Sequence, residues 1–209
     1  MKKQLPFHVP VTGDGFEIEL LSRLDEVEPD DEYVETLWQL VRFYRSSDQL
    51  TAASALTYAL LDMAVSADAK AFCYLGLGQI AEVRSQFEAA VDFYTRGLTF
   101  RTNNKQVKYL LHNNTGYCLN VQGMYRPAET YCRLAIEIDS GRANAFKNLG
   151  ISLWGQNKLI GAAWAYMEAT KADATDPRAS HLLEQLLRDH PEIKAQLPGF
   201  LQESMFNKC

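Results

Sequence analysis

Gly116-Tyr117-Cys118-Leu119-Asn120-Val121-Gln122-Gly123-Met124-Tyr125-Arg126-Pro127-Ala128 is answered 34 residues later by Gly150-Ile151-Ser152-Leu153-Trp154-Gly155-Gln156-Asn157-Lys158-Leu159-Ile160-Gly161-Ala162. In both stretches a glycine is followed at nine residues by a larger apolar side chain and at twelve by alanine. Gly78, with Phe87 and Ala90, repeats the pattern upstream. Recurrence at a period in the twenties to fifties marks a stack of small structural units. Such units contact their neighbours and leave extended surface free, which suits holding a partner better than chemistry.

The composition agrees with a soluble helical chain. Of 209 residues, 47% are hydrophobic and 22% charged, ordinary values for a globular protein. The net charge of -5 gives no support to nucleic-acid binding. No run approaches the ~18 apolar residues of a membrane helix. The start, Met1 to Pro10, has Pro6, His8 and Pro10 where a signal peptide needs an apolar run. The expectation is therefore a cytoplasmic protein without membrane insertion. Cys73, Cys118, Cys132 and Cys209 have neither C-x-x-C spacing nor a disulfide framework, and read as small core residues with free thiols.

Four helical hairpins are expected, at about 34–67, 71–104, 109–142 and 143–176. Aligned on their crossing residues, they place Val41, Gly78, Gly116 and Gly150 together, at spacings of 37, 38 and 34. The extra three or four residues are close to one helical turn, so they lengthen a helix without turning its apolar face. Turns fall at Ser46-Ser47-Asp48, Arg84-Ser85, Gln122-Gly123 and Gln156-Asn157. Ser85 with Glu88 has the spacing of a capping box. Pro127 sits in the first turn of its helix. Before the hairpins, residues 1–31 read as an acidic segment with one short helix over Phe16 to Val27, and Glu28-Pro29-Asp30-Asp31-Glu32 caps the helix that follows. After residues 32–176, Asp176-Pro177 opens a capping helix with the stripe Ala179, Leu182, Leu183, Leu186 and Leu187. Residues 177–197 form this cap and 198–209 a tail.

These hairpins resemble tetratricopeptide repeats. The resemblance runs from about Val34 to Arg188. It is carried by Gly78, Phe87, Ala90, Tyr94 and Gly97; by Gly116, Tyr125, Ala128, Cys132 and Ala135; and by Gly150, Leu159, Ala162, Tyr166 and Ala169. The first hairpin departs from it with Val41, although Tyr44, Leu50 and Ala53 fit, and Thr102, Ser140 and Ala174 replace the family's closing proline. The resemblance implies an all-α fold: a right-handed α-solenoid of stacked helix-turn-helix units with a C-terminal capping helix. It also implies that the eighth and twentieth places face each other at the helix crossing, and that the aromatic fills the gap to the next unit.

The resemblance further implies that the first helix of each hairpin lines an inner groove for a protein or peptide. The groove places hold Trp38, Gln39 and Arg42, then Gln79, then Asn113, Asn114 and Tyr117, then Asn144, Lys147, Asn148 and Trp154. Asn114 and Asn148 lie one 34-residue period apart, at a place where asparagines in some family members bond the backbone of an extended peptide. Gln39 extends the row, and Gly76 leaves a gap in it. Trp38, Tyr117 and Trp154 are the natural apolar anchors. Lys147, Asn148, Asn114 and Arg42 partly match the family's two-carboxylate clamp, but most of its lysine and arginine places are unfilled.

The implied function is a non-catalytic scaffold or adaptor. The alternative is a chaperone of the bacterial type III secretion translocator kind, which Leu75-Gly76-Leu77-Gly78 resembles. A third reading is a homodimer through Leu20, Leu21 and Leu24 or through the tail at Phe200–Phe206. No enzyme, metal or cofactor signature stands up. Gly76-Leu77-Gly78-Gln79-Ile80-Ala81 matches a dinucleotide fingerprint but has no strand before it. His8, His112, His181 and His190 have no metal-ligand spacing.

Overall fold

The computed structural model describes residues 13–26 and 31–197. Residues 1–12, the acidic stretch at 27–30 and the tail from 198 onward lie outside them, and with these the expected segment start, the proposed acidic cap and the Phe200–Phe206 contact. Among the described residues there are ten α-helices, one short 3-10 helix and no strand. The chain divides after Thr102 into two compact bodies.

The N-terminal body holds α1 (Gly15–Glu26), α2 (Asp31–Ser46), α3 (Leu50–Met63), α4 (Ala67–Val83) and α5 (Phe87–Thr99). Each packs on the next. Leu20 and Leu24 of α1 are buried in one cluster with Leu37, Leu40, Val41 and Tyr44 of α2 and with Leu56 and Leu60 of α3. That corrects the first of the two contacts expected for a dimer: Leu20 and Leu24 are core residues of their own body, and Leu21 packs beside them. The first turn of α1 also carries Glu17 into the interior, where its carboxylate accepts a 2.6 Å bond from the Tyr44 hydroxyl.

The C-terminal body holds α6 (Lys105–Val121), α7 (Tyr125–Ile138), α8 (Ala143–Gly155), α9 (Leu159–Ala172), α10 (Pro177–Asp189) and a 3-10 helix (Pro191–Gln196). Consecutive helices pack together, and α6 also touches α8. Asp176 caps α10 by accepting from the Arg178 N–H, with Pro177 in its first turn. Leu183, Leu186 and Leu187 close the core over α9. All three described cysteines are buried free thiols.

The extra turn is visible in helix lengths. α4 and α6 have 17 residues each and α8 has 13. The additional four residues sit at the N-terminal ends of α4 and α6, so those hairpins begin four residues before the expected starts, and α2 begins three before. Ser66 and Asn104 cap these extended helices through 3.0 Å bonds to Ala69 and Val107.

The glycines sit where the two helices of a hairpin cross. A methyl on Gly78 would run into the Tyr94 ring, one on Gly150 into the Tyr166 ring, and one on Gly116 would lie 2.6 Å from the Cys132 sulfur. The nearest neighbour of the eighth place is thus the twenty-fourth. The twentieth is met at Gly116, where the Ala128 carbonyl lies 3.3 Å away. Tyr94 and Tyr166 are fully buried, and Tyr166 shares one core cluster with Leu183, Leu186 and Leu187 of the following helix. The first hairpin reverses the sizes: Val41 replaces glycine, and Thr57, sixteen residues on, replaces tyrosine, both buried.

Each inner helix ends in the same way. Asp48, Ser85, Gly123 and Asn157, all seven residues past the crossing position, have positive φ of 60°, 58°, 72° and 60°. The next N–H then bonds five residues back, as in Gln86 to Ala81 at 2.9 Å and Lys158 to Leu153 at 2.9 Å, a Schellman-type stop. Ser85 is therefore no capping-box residue: Gln86 occupies the N-cap of α5 and makes no side-chain cap bond. Of the four residues at this place, serine has the least tolerance for the left-handed region. Ser85→Gly is expected to stabilise the N-terminal body by about 0.5–1 kcal/mol, read as a raised denaturation midpoint; an unchanged or lowered midpoint contradicts this.

Candidate partner-binding faces

In the N-terminal body, α2 and α4 carry the expected groove residues. Trp38 lies over Gly76, where an added Cβ would be 3.5 Å from its ring, and meets Phe72 edge-on at 4.6 Å between centroids. The indole covers the gap left by that glycine. Gln39 is half-buried. Arg42 is exposed and pairs with Glu35 at 2.8 Å. Gln79 accepts a hydrogen bond from the Arg45 guanidinium. α2 and α4 also contain Glu32, Glu35, Asp68 and Glu82, so carboxylates and cations are mixed along them.

In the C-terminal body, α6 and α8 build a connected amide network. Asn113 Nδ2 donates to Asn114 Oδ1 at 3.0 Å, and Asn148 Nδ2 donates to Asn113 Oδ1 at 3.1 Å. Asn120 Nδ2 donates to the Asn148 carbonyl at 2.8 Å, while the Ser152 hydroxyl donates to Asn120 Oδ1 at 2.8 Å. These bonds tie α6 to α8. Satisfied buried polar networks of this kind fix the register of the elements they join. The two period-related asparagines are accordingly not equivalent: Asn114 is half-buried, whereas Asn148 is 4% exposed and internally bonded. Sequence reading singled out the pair but not Ser152, whose i+4 relation to Asn148 was the available signal.

Beyond the amides the face becomes apolar. Tyr117 is 39% exposed on α6. Ile151 and Trp154 are half-buried on α8, packed against the core beneath, with Trp154 edge-on to Tyr166. At the other end Lys147 donates to Asn144 Oδ1 at 3.0 Å. Burial holds the Lys147 ammonium below the usual lysine range, with Arg178 adding to the effect and Asp176 opposing it. Neither α6 nor α8 contains an aspartate or a glutamate.

A cleft of about 740 Å³ lies at the turn end of this body, lined by Tyr125, Arg126, Glu129, Gln156 and Lys158 among others. Its carboxylate is already saturated: Glu129 receives Lys158, Gln156 and Arg133, each at 2.8 Å. Burial pushes this carboxyl up, but those three partners outweigh it and hold it at about 2. The arrangement clips α7 to the α8–α9 turn rather than leaving a free ligand group. A carboxyl depressed in the folded state stabilises it above the unfolded carboxylate range, and that contribution fades as pH falls toward 2. Glu129→Gln should therefore cost on the order of 1–2 kcal/mol at pH 7 and almost nothing at pH 2, measured by urea denaturation at both pH values; an equal loss at both would contradict the clip.

Among the described residues no cluster of three or more metal-ligating side chains occurs, and no helix is long and apolar enough to cross a membrane.

No family model matches the sequence, and no curated protein matches it. Solved structures do. MamA from Desulfovibrio magneticus RS-1 aligns with a TM-score of 0.65 at 15% identity, covering 80% of this chain and 90% of that one. The Hsp90 co-chaperone Cns1 from Saccharomyces cerevisiae aligns at 0.59 and 21% identity over 64% of this chain, and the match spans 43% of the Cns1 chain. The first TPR of Spaghetti (RPAP3), bound to the HSP90 peptide SRMEEVD, aligns at 0.54 and 20% identity, covering 58% of this chain and 94% of that one. These likenesses show the fold, which is that of tetratricopeptide repeat domains.

Proposed function

On this tetratricopeptide-like fold, we propose that the protein is a non-catalytic adaptor that holds a segment of another protein on the α6/α8 face of its C-terminal body. The observation that carries the reading is the make-up of that face. In a chain with 26 acidic residues, α6 and α8 carry none, and they bring the Asn114 and Asn144 amides to the surface beside Tyr117 and Trp154. Amides offer donors and acceptors to any peptide backbone, and half-buried aromatics are the usual energetic anchors of an interface. The peptide complex of the Spaghetti repeat domain supports this use of the fold. Trp38, Gln39, Arg42 and Gln79 lie on the charge-mixed helices α2 and α4 of the N-terminal body, and this reading leaves them without an assigned role.

The test is capture of partners from the native host's lysate by the full chain beside an Asn114→Ala, Tyr117→Ala variant, which leaves the Asn113–Asn148 bond in place. Partners held by the wild type and lost by a variant of unchanged circular dichroism support the reading. Equal capture by both removes it.

A further inference from the structure

A flank of α1 stands outside the proposed function. We infer that residues 2–11 fold back along α1 as an extended strap, with Leu5, Phe7 and Val9 seated on the flank formed by Ile18 and Leu21 and with Lys2 and Lys3 reaching the carboxylates at the start of α2. Glu17, Leu20 and Leu24 of α1 are buried in the N-terminal body. Ile18 and Leu21, three residues apart, share the flank beside them. Ile18 is 53% exposed and Leu21 is half-buried, so the flank is apolar and uncovered.

The occupant follows from the sequence that leads into α1. Leu5, Phe7, Val9 and Val11 alternate with Pro6, His8 and Pro10. The prolines disfavour a helix and hold Leu5 and Val9 extended, so the four apolar side chains share one side of the strap. Gly13, just before the helix, has a φ of 82°, a left-handed conformation that glycine adopts freely and that turns the chain back. The lengths agree. α1 has 12 residues and rises about 18 Å, while six extended residues cover about 20 Å. Val11 to Leu5 therefore spans the helix, and Lys2 and Lys3 lie past its last turn. The charge there is complementary. From Asp14 to Glu35 the sequence has ten acidic residues and one basic, Arg23, and the Glu32 side chain is 59% exposed. A short tether supplies an effective concentration on the order of mM, so even weak contacts keep the strap seated and the flank closed to other proteins.

Hydrogen exchange of the full chain tests this. Leu5→Ser, Phe7→Ser and Val9→Ser together should speed exchange of the α1 amides at least fivefold and leave α6 to α9 unchanged. Ile18→Ser alone should speed it similarly. Adding it to the triple variant should bring little further change, because both remove the same contact. Lys2→Glu with Lys3→Glu should give a smaller acceleration that disappears at about 1 M salt. His8→Ser, on the opposite side of the strap, should have no effect. Unchanged α1 exchange in the triple variant, additive effects of that variant and Ile18→Ser, or an equal effect of His8→Ser overturns the inference. So does α1 protection that rises with protein concentration, which would give the flank to a second copy.

Discussion

Gly150→Val is expected to lower the stability of the C-terminal body by about 3 kcal/mol, and adding Tyr166→Thr should bring no further loss. Any side chain at Gly150 enters the space of the Tyr166 ring, and the fully buried tyrosine has no room to move aside. Tyr166→Thr alone should also cost about 3 kcal/mol, because it empties a ring-sized volume in the core. Together the two changes recreate the Val41 and Thr57 pairing that the first hairpin uses at the same two places. Neighbouring substitutions can couple by up to about 3 kcal/mol, enough for the double variant to match either single one. Urea denaturation of the four proteins measures this. Additive losses would mean that the size exchange in the first hairpin depends on other packing and that the crossing is not a two-residue contact.

Tyr44→Phe should destabilise the N-terminal body by about 3 kcal/mol, while Tyr166→Phe should be neutral or stabilise by about 1 kcal/mol. The same atom is removed in each. The Tyr44 hydroxyl donates to Glu17, a residue with no exposed surface. Burial, reinforced by the bond to Glu17 and its charge, pushes the Tyr44 hydroxyl well above the usual phenol range, so the phenol stays protonated and donating. Deleting it strips a buried carboxylate of a charge-assisted bond and loosens the seat of α1. The Tyr166 hydroxyl is buried without a hydrogen-bond partner, because Trp154 stands where Glu82 accepts from Tyr94 in the second hairpin. Removing it relieves a desolvated group. Equal losses in both variants would contradict the assignment of these hydroxyls.

The parts of the fold legible in the sequence were those written in local periodicity. The glycine, apolar and alanine spacing located the crossings, and the turn residues Asp48, Ser85, Gly123 and Asn157 marked the helix stops. What was missed depended on contacts between distant residues or on a single dihedral. Ser85 and Glu88 have capping-box spacing, but the left-handed conformation needed to stop α4 places Ser85 one residue too early. Leu20 and Leu24 form a stripe that looks ready for another molecule, and only the docking of α1 onto α2 and α3 shows it to be core. At the candidate site, the pattern identified Asn114 and Asn148 by their common place in the repeat. It could not show that Asn148 reaches Asn113, 35 residues away, because that depends on how α6 and α8 assemble.

The most direct test of the account is photo-crosslinking from two positions of matched exposure on the C-terminal body, using benzoylphenylalanine at Tyr117 on α6 and at Trp164 on α9, which are 39% and 38% exposed. In native-host lysate, Tyr117 should yield a discrete crosslinked partner that Asn114→Ala diminishes, and Trp164 should not yield it. The same product from both positions, or from Trp164 alone, would contradict the assignment of partner binding to the α6/α8 face.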